Sequence, residues 1–326
     1  MKYGILKLCK ILSDRVEAEM YYFIINPASR SGYGYLVWKR VEKHLIRLSE
    51  EYEAYLTEGP GQASQYARTL TEHCGESRVL VVIGGDGTMN EVLDGMNLSS
   101  FVTLGYIPAG WGSDLAAGLR LSHFPVRGLC RILNPRSVRQ LDYGVITYGD
   151  DVLKHRRFVV SAGMGLDGAV CHRLLYSRIR GFFNRLHMHK IPYVVTGFLQ
   201  CLKTRPVKGY ILLDGTKRVE FNNIYFVSVQ LQSSEGGGFR FAPRADCSDG
   251  SLDVCVVSHS SRRQVFGILW RAYWKRSHNR GIRSYSCREV QIHTERPLAV
   301  HVDGESCQYQ SDIDIRCIER KVSMIV

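Results

Sequence analysis

The sequence predicts two domains, an α/β domain on a parallel sheet followed by a mostly antiparallel β domain, and three observations predict it. Strand-like and helix-like stretches alternate from Tyr21 to about residue 145, and short alternating strands then take over. With 326 residues and 45% hydrophobic content, the chain has material for two cores.

Taken in order, "YYFIIN" from Tyr21 is an apolar strand, "PASRSGYG" a turn, and "YLVWKRVEKHLIRLSEEY" a helix with its stripe at Leu36, Val37, Val41, Leu45 and Leu48. "EAYLT" predicts a second strand, "ASQYARTLTEHC" a helix, "RVLVVI" a third strand, and "TMNEVLDGM" the helix beyond its glycine loop. "FVTLGYI" is a fourth strand, leading through "PAGWGSD" to the helical "LAAGL". After "LDYGVI", the segments "KGYILLD", "RVEFNNIYFVSVQL", "GSLDVCVVS" and "LAVHVDGE" predict antiparallel strands, with two helix-like stretches between them. Met20 directly precedes the first strand, so residues 1–19 read as an extension, a mis-assigned start in preference to a short amphipathic arm.

Lys plus Arg at 43 against Asp plus Glu at 31 gives a net charge of +12, which suits nucleotides, acidic lipid surfaces or nucleic acid. No nucleic-acid-binding module accompanies the charge, which argues against the last. Ten cysteines without a CxxC pair exclude a disulfide framework or zinc ribbon and predict a reducing cytoplasm. No apolar run reaches the ~20 residues that span a bilayer. The opening residues, broken by Lys7, Lys10, Asp14 and Arg15, make a poor secretory signal.

The chemistry concentrates in "IGGDGTMNE". It lacks the third glycine of a dinucleotide fingerprint and the Gly-Lys of a Walker loop, and the chain has no G-x-S-x-G elbow. Asp-Gly is common in hairpins, but a helix follows here rather than a strand. Gly84, Gly85 and Gly87 would let a phosphate chain approach the backbone, while Thr88 offers a hydroxyl at the start of the helix. A carboxylate repels phosphate unless a cation lies between them, so Asp86 reads as a Mg²⁺ ligand or a proton acceptor.

"GGDGTMNEV", with "NPASRSGYG" at 26–34, "IPAGWGSDLA" at 107–116, "LDYGVI", "SAGMGLDGAV", "EGGGFRFAPRADCSDGSLDV" and "HVDGES", resembles the diacylglycerol kinase catalytic family in the order of its motifs. That family includes bacterial soluble lipid kinases and sphingosine kinases, and shares its glycine-aspartate loop with NAD kinases and phosphofructokinases. The resemblance implies a nucleotide-binding α/β domain at 20–145, a β-sandwich-like lipid-acceptor domain at 146–308, a segment at 309–326 returning to the first domain, and an active site in the cleft between them. It implies ATP and Mg²⁺ as cofactors, and a lipid hydroxyl, most simply that of diacylglycerol, as acceptor. A sphingoid or other lipid acceptor, and a catalytically weak binding relative, are the alternatives.

By the same resemblance Asn26, Ser29, Arg30, Thr57, Asn90, Gly110, Gly112 and Ser113 join the glycine loop around the nucleotide. Arg30 suits phosphate because its guanidinium is always charged and forks onto oxygens. Asp114 and Asp142 would share a magnesium and water network with Asp86, and Asp249 would ligate a structural Mg²⁺. Asp303 is the candidate general base, with Asp86 as the alternative. Asp303 and Glu305 stand two apart and would share a strand face. Asp167 would meet the head of the lipid. The chain departs from the family pattern at Trp111 and Ser113, where Thr and Asn are usual, and near Gln230, where relatives carry Asn.

Two stretches, 173–190 and 262–280, mix Arg and Lys with aromatics at helical intervals, as do helices that lie on anionic membranes; ordinary amphipathic helices are the alternative. A cytoplasmic protein bound peripherally to an anionic membrane surface is the expectation, with no nucleic-acid partner and a homodimer left open. His187 and His189 lie on different helix faces and do not suggest a metal.

Overall fold

The computed structural model describes residues 20–72, 77–110, 112–149, 152–175, 190–274 and 281–326. The chain divides into two units, one running to Leu141 and completed by Lys321–Val326, the other Asp142–Arg320. The return to the first unit is thus confined to the last six residues.

In the first unit the strands β1 (Tyr21–Ile25), β2 (Tyr52–Leu56), β3 (Arg78–Gly84) and β4 (Val102–Pro108) are parallel in the order β2-β1-β3-β4. The end of β13 (Glu305–Ile325) joins them, Ser323 and Met324 pairing with Thr103 and Leu104. β1, and β3 after Arg78, are apolar because helices cover such a sheet on both faces. The helices are α1 (Ser29–Leu48), α2 (Gln62–Thr71), α3 (Asp86–Gly95), α4 (Asp114–Gly118) and α5 (Pro125–Leu133).

α1 differs from expectation at its start and on its buried face. Arg30, Ser31 and Gly32 are successive left-handed residues, so the chain makes a tight turn before regular helix begins. The core stripe is Gly34, Val37, Trp38, Val41 and Leu45, while Leu36 is 53% exposed. Steps of four residues hold that face, and Leu36 falls off it by one residue's rotation. Trp38 packs instead with Phe23 and Tyr52, ring centroids 5.4 and 5.7 Å away.

The second unit is antiparallel, with β9 (Lys217–Gln230) between β10 (Leu252–Ser258) and β7 (Ser161–Gly165), and β12 (Glu289–Val302) between β7 and β13. β11 (Ile282–Cys287) edges β10, β8 (Val207–Leu213) bridges β9 and β12, and β5 (Val138–Tyr148) pairs β6 (Lys154–Phe158). Asp214 and Gly215 both have positive φ and close the β8–β9 hairpin, as Asp-Gly does in two-residue-type turns. Helices α6 (Leu166–Leu175), α7 (Lys190–Lys203) and α8 (Arg262–Tyr273) supply Leu166, Cys201, Val265 and Ile268 to a core that includes Phe226, Phe241 and Cys255. No helix among the described residues is long and apolar enough to cross a membrane.

Candidate active site

Three strand-to-helix turns of the first unit meet at the carboxyl ends of its parallel strands, the edge where open α/β sheets bind ligands. Asn26, following β1, donates from Nδ2 to Thr88 Oγ1 at 3.1 Å, and its amide bonds Ile83 O at 2.9 Å. Ser29 Oγ donates to Ala109 O at 3.2 Å, and the Ala109 amide to Gly84 O at 2.7 Å. Thr57, buried at the end of β2, donates its amide to Ile25 O at 2.8 Å and so sits on the same edge as Asn26.

The glycines are required by contact rather than by φ. A Cβ on Gly84 would stand 2.6 Å from the Thr88 side chain, and one on Gly110 would stand 2.7 Å from Gly85 Cα. Gly85 is extended, α3 begins at Asp86, and Gly87 lies in the first turn. The amides at the start of that helix and its dipole are the kind of group that attracts an anion.

Asp86 is turned by two donors: the Tyr106 hydroxyl at 3.2 Å from Oδ1 and the Asp114 amide at 2.7 Å from Oδ2. Burial first, then the Asp86 charge, pushes the Tyr106 hydroxyl well above its ordinary pKa, so it keeps the proton it donates. Ser113 Oγ lies 3.1 Å from the same hydroxyl, and Asp114, 6% exposed, opens α4. Gly112 is exposed beside them. Arg30 places its guanidinium over the Tyr33 ring at 4.9 Å. Asn90, in the same helix α3, has no exposed surface.

The carboxylates of the second unit are engaged by backbone. Asp142 is fully buried and accepts the Gly250 amide at 2.8 Å and the Arg320 amide at 2.7 Å, clamping the loop before β10 to β13. Asp249 accepts the Ser251 amide and hydroxyl at 3.0 and 2.8 Å, an Asx turn. Asp303 and Glu305 do not share a strand face as expected. Asp303 (φ 46) and Gly304 (φ 86) form the tight turn between β12 and β13, because Asp-Gly tolerates two successive left-handed residues. The Asp303 carboxylate accepts the amides of Val159, Val160 and Ser161 at 2.9–3.0 Å, while Glu305 pairs with Arg156 at 2.8 Å.

Asp167, on the first turn of α6, meets His301 of β12 with Oδ2 to Nε2 at 2.7 Å. Burial opposes a charged imidazole, but Asp167, and then Cys171, raise His301 well above its usual value, giving a buried ion pair. Among the described residues, Asp167, Cys171 and His301 are the one group of three His, Cys, Asp or Glu whose ligand atoms lie within 4.8 Å; the direct bond between Asp167 and His301 explains that proximity without a metal.

The pair adjoins an apolar pocket lined by Val170, Phe198, Phe239, Phe266, Leu269 and Trp270, with Asp167 and Glu235 on its wall. Glu235 Oε1 accepts the Ser228 hydroxyl at 2.9 Å; Gln230 donates to that hydroxyl and accepts the Ala242 amide. Gln230, the departure from the family pattern, is thus a buried brace under the cavity.

Sequence reasoning missed Tyr106, Glu235 and His301. A tyrosine in an apolar strand two residues before "PAG", and the acid opening "EGGG", were the signals available. Trp111, residues 1–19, most of the 173–190 stretch with His187 and His189, and the end of the 262–280 stretch lie outside the described residues.

The family model for the diacylglycerol kinase catalytic domain matches residues 20–146, and that for the YegS C-terminal NAD kinase beta sandwich-like domain matches 163–318. A candidate lipid kinase of Bacillus subtilis, YtlR, is 27% identical over 290 residues, covering 87% of this chain and 93% of its own. A diacylglycerol kinase of the same organism is 24% identical over 292 residues, 86% of this chain and 88% of its own. A crystal structure of a candidate diacylglycerol kinase from Bacillus anthracis has a TM-score of 0.76 at 21% identity, covering 95% of this chain and 98% of that one, and shares its fold.

Proposed function

Because the chain belongs to the diacylglycerol kinase catalytic-domain family and is a lipid kinase, we propose that it transfers the γ-phosphate of ATP to the hydroxyl of diacylglycerol, giving phosphatidic acid. The observation that carries the choice of a lipid is the aromatic cavity of the second unit, apolar along its length and polar where Asp167 and Glu235 stand.

ATP phosphates would lie on the amides opening α3, with Asn26, Ser29, Arg30, Thr57 and Thr88 around them. Mg²⁺ fits the donor set, since Asp86 and Asp114 offer hard carboxylate oxygens at the first turns of α3 and α4. Bound there, the ion would neutralise charge on the phosphates. In the reaction the lipid oxygen attacks the γ-phosphorus, the bond from phosphorus to the bridging oxygen of ADP breaks, and the hydroxyl proton passes to Asp303. Three amides hold the Asp303 carboxylate in one orientation.

The lipid would arrive across α7 and α8. Phe198, Leu202, Trp270 and Trp274 are 43%, 48%, 51% and 57% exposed, and Phe198 and Trp270 also line the cavity. Arg262, Arg263 and Arg271 on α8 add charge that suits an anionic bilayer. Incubating the protein with labelled ATP, Mg²⁺ and dispersed lipids should label a chloroform-soluble product, most strongly with diacylglycerol, and Asp303→Asn should abolish it. Absence of label with every lipid class overturns this reading.

A further inference from the structure

The acceptor cavity ends on a carboxyl that the phosphoryl transfer does not use. Glu235 is 3% exposed; Oε1 accepts from Ser228, the Ser161 hydroxyl also acts on the carboxyl, and among the described residues no donor lies in hydrogen-bond geometry to Oε2. A buried oxygen left unpaired is costly, and ordinary folds satisfy nearly all of them. A cavity wall is where such an atom gains a partner from a ligand.

The backbone fixes this side chain. Glu235 and Phe239 exchange hydrogen bonds at 2.9 and 2.8 Å, and Gly236, Gly237 and Gly238 make the reversal with φ of 59, 82 and 116. Only residues without Cβ make three such steps readily, so the "GGG" following Glu235 holds it rather than binding anything itself.

Its neighbours decide what it can bind. Asp167 and Cys171 face it from α6, His301 from β12, Cys255 from β10 and the Ser161 hydroxyl from β7, and Tyr273 shares the cavity from α8. Of the groups that act on it most strongly, only His301 is cationic, and His301 is committed to Asp167 at 2.7 Å. Burial first, then the Asp167 charge, raises Glu235 to about 8, so it keeps its proton at neutral pH. The end of the cavity is therefore a neutralised ion pair beside a neutral acid. An ammonium group entering it would meet the His301 charge, and pairing with Glu235 would require that acid to lose its proton to water. An ester carbonyl or hydroxyl oxygen needs neither change.

We propose that Glu235 is the specificity-determining residue of the acceptor cavity: its protonated carboxyl donates a hydrogen bond from Oε2 to an uncharged oxygen of the lipid head and selects acylglycerol-type heads over amine-bearing ones. This rests on the cavity being the lipid-acceptor site.

The test uses the full chain in mixed micelles with dioleoylglycerol or sphingosine as acceptor, and compares Glu235→Gln with Glu235→Ala. The amide of Gln keeps a donor and cannot ionise. Wild type should prefer dioleoylglycerol. Glu235→Ala should raise its KM about tenfold, the loss of about 1.4 kcal/mol, with the KM for ATP unmoved. Glu235→Gln should stay close to wild type, and its KM should remain flat from about pH 7 to about pH 9 while that of wild type rises. Equilibrium binding of a short-chain fluorescent diacylglycerol, without ATP, should rank the three proteins the same way. Thermal unfolding confirms that each variant is folded. Equal KM and equal binding for all three overturn the assignment, as does a preference for sphingosine that Glu235→Gln destroys, which would make Glu235 a cation-binding carboxylate. If no lipid is phosphorylated, the kinase reading fails, and the binding series still decides the role of Glu235.

Discussion

Around Asp86 the groups that a ligand can reach are amides, hydroxyls and carboxylates on three short turns, whereas around Glu235 they are aromatic rings with one buried acid among them. The two regions hold their shape differently. In the first, glycines let backbone touch backbone, so position is set by main chain. In the second, side chains from α6, α7, α8 and the 235–241 loop converge, so position is set by packing. A polar loop of the first kind suits a charged, rigid nucleotide, and a cavity of the second kind suits an acyl chain without fixed shape.

The largest expected effect separates them most cleanly. Asp86→Asn keeps the size of the side chain and one acceptor for the Asp114 amide, yet removes the charge that a divalent cation needs. Turnover should fall by about 10³, the scale seen when one preorganised electrostatic group is lost. Diacylglycerol binding measured without ATP should be unchanged. A variant with near-normal turnover would remove Asp86 from the chemistry.

Gly110→Ala tests the backbone contact itself. Its Cβ would stand 2.7 Å from Gly85 Cα, so one of the two turns must move. The KM for ATP should rise by about tenfold to a hundredfold, as misplacement by about 1 Å costs up to that much, and binding of lipid should again be unaffected. An unchanged KM would show that the turns yield without consequence for the nucleotide.

These turns were legible in the sequence because every contact among them follows a strand end whose apolar run is continuous and whose glycines are local. That the sheet is parallel follows from strands and helices alternating along the chain, whereas its order β2-β1-β3-β4 does not. The rest was hidden for physical reasons. Asp303 and Glu305 looked like neighbours on a strand, although the same Asp-Gly pair at 214–215 also turns the chain, and in both places two successive positive φ values decide. Leu36 and Trp38 exchanged roles because a one-residue phase shift moves a helix stripe by about 100°. Glu235 and His301 are 66 residues apart in number and meet only through the sheet, so no spacing rule joins them.

The exposed aromatics of α8 give a smaller effect on the side of the cavity. Replacing Trp270 and Trp274 by Ala removes rings that are 51% and 57% exposed, so stability should stay within about 0.5 kcal/mol. Sedimentation with vesicles rich in anionic lipid should fall by roughly tenfold, in line with the loss of interfacial apolar area. Unaltered sedimentation would assign the pair a purely structural part.

The smallest effect concerns stability against pH. Glu235 holds its proton to about 8 in the folded chain and loses it near its ordinary 4.5 when unfolded. Between those values the folded state binds one more proton, so stability falls as pH rises and levels off above about 8. His301 acts in the same direction: its folded value lies well above 6.5, so the ion pair contributes fully below 6.5 and is lost as pH rises through the folded value. Glu235→Gln removes the first contribution and leaves the second. Its melting temperature should therefore gain on that of wild type as pH increases from about 5 to about 8, by on the order of 5 °C, and run parallel to it above. A constant difference across that range would mean that Glu235 is ionised in the folded chain. A proton-donating role toward the lipid would then fall with it.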